Sequence, residues 1–393
     1  MLSKRERVIK TLELEEPDMV PIHYLGFEMT GISNQYFKES DEFKKIRASI
    51  EEDVLKMKFN VLLGTTASIT ELSFWKSDIH GIDPWGIKKM KLKTVNAPPE
   101  YPDCQLLTYD GRIWKLAPQV ETGLLYLWYE DGYFRTPEIV HEYWDKYGKP
   151  IDLINNKLNY SPQIWENFVN KLSKYVYPMG TLPISLHESL FEGMTITRVA
   201  YYMRKKPEFI HEMMTEFNKI NLEIVKRLAE AGVDIVFYMD DLGLKGRSIF
   251  SIDHFKEFIL PYYKQIYQAC KKNGMLVLQH SCGYIDKLLP FMVDAGLNGI
   301  QGLEPAAGVD LANLKETMGD KVAFLGGIDG SNILNFGTPN DVHEEVKRCI
   351  KAGAQGGGYF AGPSHNVLNA PWKNILALRA AIEKYRKYPL NLA

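Results

Sequence analysis

The sequence predicts an α/β chain that closes into a single (β/α)8 barrel, a TIM barrel, and three observations carry that expectation. Short apolar runs alternate with helix-period stretches along most of the chain. The residues that follow those runs are too polar for the ends of buried strands, which is how barrels of this class arrange their working face. No Gly-x-Gly-x-x-Gly follows the first strand-like run and no Walker loop is present, so a doubly wound nucleotide-binding sheet is the weaker reading.

The 393 residues are 45% hydrophobic and 24% charged, ordinary globular usage with enough apolar side chains for one large core, and residues 1–393 read as one domain. Formal net charge is −2 with both signs interspersed, which argues against nucleic acid or an anionic membrane as partner. No apolar run approaches the roughly 20 residues that span a bilayer. The N-terminal Met1-Leu-Ser-Lys-Arg-Glu-Arg7 is charged and lacks the apolar core of a signal peptide, so a cytoplasmic location is expected. Cys104, Cys270, Cys282 and Cys349 have no paired spacing and are expected as free thiols.

In chain order, residues 3–14 read as a helical extension ahead of the barrel, followed by the strand-like Val20-Pro-Ile-His-Tyr24. Residues 40–58 carry helical periodicity and lead into Asn60-Val-Leu-Leu-Gly-Thr-Thr66, an apolar strand ending in small polar residues. Between about 78 and 135, aromatic and β-branched residues alternate around turns, and Tyr109-Asp-Gly-Arg112 lies between two such runs, a hairpin signal. This stretch reads as a β-rich insertion on the barrel. Its Trp114, Tyr126, Trp128, Tyr129, Tyr133 and Phe134 either wall a pocket for a flat ligand or pack a satellite core. After helical sequence near 136–176, apolar runs occur at Thr181–Leu186, Asp234–Met239, Met275–Gln279, Gly299–Leu303, Val322–Gly326 and Gly358–Gly362. With the two N-terminal strands they make eight, and right-handed crossovers close such a series into a barrel.

The strand ends then bring to one face His23, Thr65 with Thr66, His187 with Glu188, Asp240 with Asp241, His280 with Cys282, Glu304, Asp329 and Ser364-His365-Asn366. Carboxylates and imidazoles so gathered point to an active site. His280-Ser-Cys282 places a borderline and a soft ligand side by side, a pair that suits zinc once a third protein ligand arrives. A core histidine beside a small buried thiol is the plainer alternative. His365, across the mouth, is the best third ligand on offer. Asp329 follows Gly326-Gly-Ile328, where small residues let the backbone approach a ligand. Asp240, Asp241 and Glu188 read either as site carboxylates or as partners of helix N-termini. His80, His141, His211, His254 and His343 read as solvated.

Gln279-His-Ser-Cys-Gly283, Gly326-Gly-Ile-Asp329 with Gly337-Thr-Pro339, and Ala361-Gly-Pro-Ser-His-Asn366 together resemble the uroporphyrinogen decarboxylase superfamily, more closely its cobalamin-dependent methyltransferase branch. The likeness covers most of the chain from about residue 180 onward. Decarboxylases of that superfamily carry an Arg-Gln-Ala-Gly-Arg segment that grips the carboxylates of their tetrapyrrole. The corresponding Val20–Met29 has no arginine, which disfavours decarboxylation. The methyltransferase branch uses zinc, often through His-x-Cys and a distant Cys, and this chain offers His365 where the second thiolate is expected. The O-demethylase members are similar through a Glu, Glu, His set at intervals of fifteen and twenty-one residues, which Asp329, Glu344 and His365 reproduce with Asp first.

The resemblance implies zinc held by His280, Cys282 and His365, with Asp329 as a further ligand or the set containing Glu344 as the alternative. It implies cobalamin carried by a separate corrinoid protein as partner. The implied reaction is zinc-assisted O-demethylation: a corrinoid-dependent methyltransferase moves methyl from a methoxylated small molecule, an aromatic one, to the Co(I) corrinoid of that carrier. Glu188 and Asp241 are then the catalytic residues, as general acid or hydrogen-bond partners, and His23, His187, Asp240, Glu304 and Asn366 bind the donor. The alternatives are transfer of methyl from the carrier to coenzyme M or tetrahydrofolate, a uroporphyrinogen decarboxylase-like lyase, and a non-catalytic scaffold binding metal or corrinoid protein. A homodimer stays open.

Overall fold

Apolar runs do become parallel strands in the computed structural model, which describes residues 1–23, 78–82, 106–118, 125–152, 162–173, 176–365, 367 and 370–392. Seven strands form one parallel sheet: β1 (Ile79–Ile82), β5 (Tyr177–Thr181), β6 (Ile235–Met239), β9 (Leu276–His280), β10 (Gly299–Gly302), β11 (Ala323–Gly326) and β12 (Tyr359–Phe360), paired in that order. The Val20–His23 segment joins the two edges. Ile22 bridges Ala361 in parallel, the His23 amide donates to the Ala361 carbonyl at 2.9 Å, and the Asp78 amide donates to the Ile22 carbonyl at 2.8 Å. The sheet therefore closes on itself through eight segments, the (β/α)8 barrel expected.

Side-chain alternation divides the core in two. Ile79, Met179, Ile235, Phe237, Leu278, Leu325 and Phe360 point into the barrel. Val236, Tyr238, Val277, Ile300, Phe324 and Tyr359 point outward into the larger core beneath the helices. Helix α1 (Lys4–Leu12), started by a Ser3/Glu6 capping box, adds Val8 and Leu12 to the inner cluster and so plugs the barrel floor. Beside it, Asp78 receives Arg7 and Arg386 at 2.8 Å each, with all three side chains at most 8% exposed.

Two boundaries differ from the expectation. The second barrel strand is β1, while the predicted helix at 40–58 and strand at 60–66, with Thr65 and Thr66, lie outside the described residues. β5 ends at Thr181 because Pro183 has no N–H for a ladder and Leu186 opens a helix, α4 (Leu186–Met194). The helical sequence near 136–176 becomes α2 (Pro137–Tyr147) and α3 (Pro162–Leu172).

The aromatic stretch forms an antiparallel sheet of β2 (Leu106–Leu107), β3 (Arg112–Pro118) and β4 (Leu125–Gly132), turning at Asp110-Gly111. Gly111 has φ +82°, and a Cβ there would strike the Phe134 ring at 2.5 Å. The sheet lies on α4: the Phe134 amide donates to the Gly193 carbonyl at 2.9 Å.

Candidate metal centre and adjoining cavity

β9 delivers His280 at its last position, and the loop that follows turns back so that Cys282 faces its own strand end. The loop after β6 carries a short hairpin, β7 (Gly243–Leu244) and β8 (Arg247–Ser248), and its Gly243 amide donates to the Cys282 carbonyl at 3.1 Å, drawing the loop against it. Gly283, at φ +76°, passes so close that a Cβ would meet the Gly243 backbone at 2.3 Å. A side chain at either glycine would push the loops apart and carry Cys282 away from the barrel axis.

Two imidazoles and one thiol converge there. The Nε2 atoms of His280 and His365 each lie 3.1 Å from Cys282 Sγ, and the rings stand 6.3 Å apart at 64°. Asp241 closes the group from β6: its Oδ1 accepts from the Cys282 amide at 2.9 Å and lies 3.4 Å from His280 Nε2. Asp241, His280 and Cys282 offer ligand atoms all within 4.8 Å of one another. That nitrogen, sulfur and carboxylate oxygen suit zinc in donor type, and His365, 3.1 Å from the same sulfur though outside that group of three, is the fourth donor at hand.

The charges agree with the geometry. Burial alone would hold Cys282 protonated and His280 neutral. The two imidazoles beside it outweigh burial and bring the Cys282 thiol below its ordinary range. Asp241 and the thiolate likewise outweigh burial at His280 and raise it. His365 is raised chiefly by its bond to Cys282. Asp241, despite burial, is held well below the carboxylate range by His280. These neighbours all favour the deprotonated sulfur that a metal requires.

Beside these residues is a cavity of about 270 Å³ lined by Leu182, Pro183, Ser185, Glu188, Met239, Asp241 and His280. Glu188 reaches it from the first turn of α4 and is steadied by Arg112 at 3.4 Å. That guanidinium is 5% exposed and also meets Asp110 at 3.0 Å, Glu192 at 2.5 Å and Ser189 at 2.9 Å. Among the described residues, none of the hairpin aromatics lines the cavity. Phe134 packs edge-on to Tyr143 within the larger core, while Trp114 meets Tyr129 edge-on at the surface, where Trp128 and Tyr129 are exposed.

Other residues singled out in the sequence are placed differently. Asp240 is fully buried, its oxygens taken by the amides of His187 and Glu188 and the hydroxyls of Tyr238 and Tyr263, so it anchors α4 and has no face for a donor. His187 is also fully buried, with Nδ1 on the Asp241 carbonyl and its ring against Phe191 and Phe250. His23 is buried against Phe237. Asp329 caps the turn Gly330–Leu334, with both oxygens accepting from Asn332, which is why Asp241 and not Asp329 supplies the nearby carboxylate. Glu344 is exposed; its neighbour Glu345 is the one that turns inward, to the Asp329 amide at 3.0 Å. Glu304 accepts from Ser331 at 3.0 Å and is close enough to His365 to favour its charged form. Asn366 lies outside the described residues. Arg112 and Gln301 were not legible as site residues: arginine in a hairpin and one amide in an apolar run carry no motif.

Comparison with known proteins bears on what such a site does. A family model described as Uroporphyrinogen decarboxylase (URO-D) matches residues 135–385. A methylated-thiol–coenzyme M methyltransferase of Methanosarcina mazei is 24% identical over 55% of this chain and 54% of its own. A uroporphyrinogen decarboxylase of Chlorobium phaeovibrioides is 25% identical over 42% of this chain and 46% of its own. A methylcobamide:CoM methyltransferase, MtbA, of Methanosarcina acetivorans is 25% identical over 37% and 41%. The chain thus spans about half the length of the curated relatives it matches. Among solved structures, a methyltransferase from Methanosarcina mazei superposes with a TM-score of 0.65 over 98% of this chain and 99% of that one, at 15% identity, a likeness of fold.

Proposed function

The chain belongs to the uroporphyrinogen decarboxylase family, and within it we propose a corrinoid-linked methyltransferase that takes a methyl group from a methoxylated small molecule to the corrinoid of a separate carrier protein. The observation that carries this reading is the convergence of His280, Cys282 and His365 beside a cavity that also holds Glu188 and Asp241. Relatives named as methyl transfer proteins support the class.

When bound, zinc would supply positive charge to the oxygen left behind, and the partner's corrinoid would supply the nucleophile that accepts the methyl group. The chain's own part is to hold and orient. His280 and His365, through their imidazoles, and Cys282, through its sulfur, would hold the zinc ion. A set with one sulfur makes a harder Lewis acid than one with two, which favours an ether oxygen as the group polarised. Leu182, Pro183 and Met239 fix the donor by apolar contact and exclude water from its methyl group. Glu188, held by Arg112, hydrogen-bonds or protonates the departing oxygen. Nothing in these aliphatic walls calls for an aromatic ring, so methoxylated aromatics are one donor class to be tested beside methanol and methylamines.

A second reading, transfer of methyl from the carrier to a thiol such as coenzyme M, is favoured by the coenzyme M methyltransferases among the relatives. Incubation with a reduced corrinoid carrier and each donor, and with a methylated carrier and each thiol, separates the two. Methyl transfer in neither direction, with carbon dioxide released from uroporphyrinogen, overturns both. In parallel His365→Ala is expected to lose most bound zinc; a zinc content equal to the unaltered protein removes this ligand set.

A further inference from the structure

Position 301 lies on β10 directly across from His280 in the register of the two strands. Its neighbour Ile300 points outward into the helix-covered core, so Gln301 points into the barrel, where the other described strands place Leu278, Ala323, Leu325 and Phe360. A fully buried amide among those residues calls for a partner. It has one: Gln301 Oε1 meets His280 Nδ1. The other half of the amide, Nε2, is buried and finds no hydrogen-bond partner among the described residues. An apolar side chain would fill the same place without stranding a donor, so the contact to His280 is what the amide gains.

The chemistry of imidazole makes that contact directional. A neutral ring carries one N–H and one lone pair. An amide oxygen at Nδ1 accepts the N–H there and leaves the lone pair on Nε2, the atom that lies 3.1 Å from Cys282 Sγ and 3.4 Å from Asp241 Oδ1. We propose that Gln301 is a positioning residue that fixes His280 in the Nδ1–H tautomer, aiming Nε2 into the metal site and strengthening it as a ligand. This rests on the zinc reading of the site and assigns to the strand beside β9 the task of setting up its histidine.

The test is zinc affinity of the full chain, measured by competition with a chromophoric chelator after metal removal, for the unaltered protein, Gln301→Met and Gln301→Glu. Methionine keeps the length and removes the acceptor; glutamate keeps the acceptor and adds charge. Zinc dissociation constants are expected to rise about 10- to 100-fold in Gln301→Met and to stay equal or fall in Gln301→Glu. The visible absorption of the cobalt(II)-loaded protein is expected to change in the first and be kept in the second. Equal zinc affinity in the unaltered protein and Gln301→Met overturns the role of Gln301 while leaving the metal site standing. Should Gln301→Met not fold, a Gln301→Glu protein that binds zinc more weakly overturns it as well. An unaltered protein that binds no zinc overturns the metal site, and this inference with it.

Discussion

Asp240 and Asp241 are adjacent in sequence and opposite in circumstance. Burial pushes the carboxyl of Asp240 up to about 7 beneath α4, while Asp241 faces the mouth and is held low by His280. His187 lies between their environments, and burial pushes its imidazole down to about 4. A histidine depressed in the folded state binds fewer protons there than in the unfolded chain, so its contribution to stability is present above pH 6.5 and is lost as pH falls through about 4. The shift corresponds to something on the order of 3 kcal/mol across that window. Urea midpoints of the unaltered protein are expected to fall between those pH values more steeply than those of His187→Gln. Parallel pH profiles for the two would show that the ring is not buried neutral. The same residues show what a sequence can and cannot say about a site. The convergence of His280, Cys282 and His365 was legible because strand ends share a face in a barrel, and these residue types are the few that metal-ligand chemistry singles out. Asp329 and Asp240 were legible only as polar strand-end residues. Whether such a carboxylate faces a ligand or caps a backbone depends on which amides lie near it, and Asn332 and the first turn of α4 settle that here.

At the scale of elements, β6, β9 and β11 were plain in the sequence because strands buried on both faces read as continuous apolar runs. β1 was not, since Ile79-His-Gly-Ile82 is short, carries a histidine and sits at the start of an aromatic stretch with a different texture. The hairpin of β3 and β4 was legible from Asp110-Gly111, but its purpose was not. Its aromatic side chains suggested a ring-binding wall, whereas what the hairpin delivers to the cavity is Arg112, through Glu188 and Ser189 of α4. The hairpin and α4 therefore act as one unit. Arg112→Met would leave fully buried Asp110 without its guanidinium and release Glu188, at about 3–5 kcal/mol by analogy with broken buried ion pairs. Amides of β3 and β4 are expected to exchange with solvent much faster in that variant, together with those of α4. Faster exchange confined to the hairpin, with α4 unchanged, would show that the two are independent.

The whole barrel separates what holds it closed from what it does. At the floor, Asp78 accepts from Arg7 of α1, from Arg386 at the end of the C-terminal helix, and from the Ile22 amide at 2.7 Å, while Arg386 also donates to the Val20 carbonyl at 3.0 Å. One carboxylate thereby ties both terminal regions to the two segments where the sheet must meet itself. The residues proposed as metal ligands lie beyond the opposite, C-terminal ends of the strands, as barrel architecture has it. Asp78→Leu would leave Arg7 held by Asp18 at 2.8 Å and Arg386 by Glu383 at 3.4 Å but remove the buried carboxylate between them, and a loss of about 3 kcal/mol is expected from such a break. Replacing all three side chains together, as Arg7→Met, Asp78→Leu and Arg386→Met, removes the like charges from the floor, leaves Asp18 with the Leu2 amide in place of Arg7, and should recover part of that loss, because part of the damage comes from unbalanced charge and not from the missing bonds. Zinc affinity should be the same in every one of these variants as long as they are folded, since none of the altered side chains reaches the mouth. Unfolding midpoints in urea, followed for the metal-free proteins, read the first two expectations, and chelator competition reads the third. A single variant no less stable than the unaltered chain would remove Asp78 as the closing tie. A weaker zinc site in folded Asp78→Leu would show that floor and mouth are coupled through the strands, and that the geometry around His280 depends on how the barrel is closed.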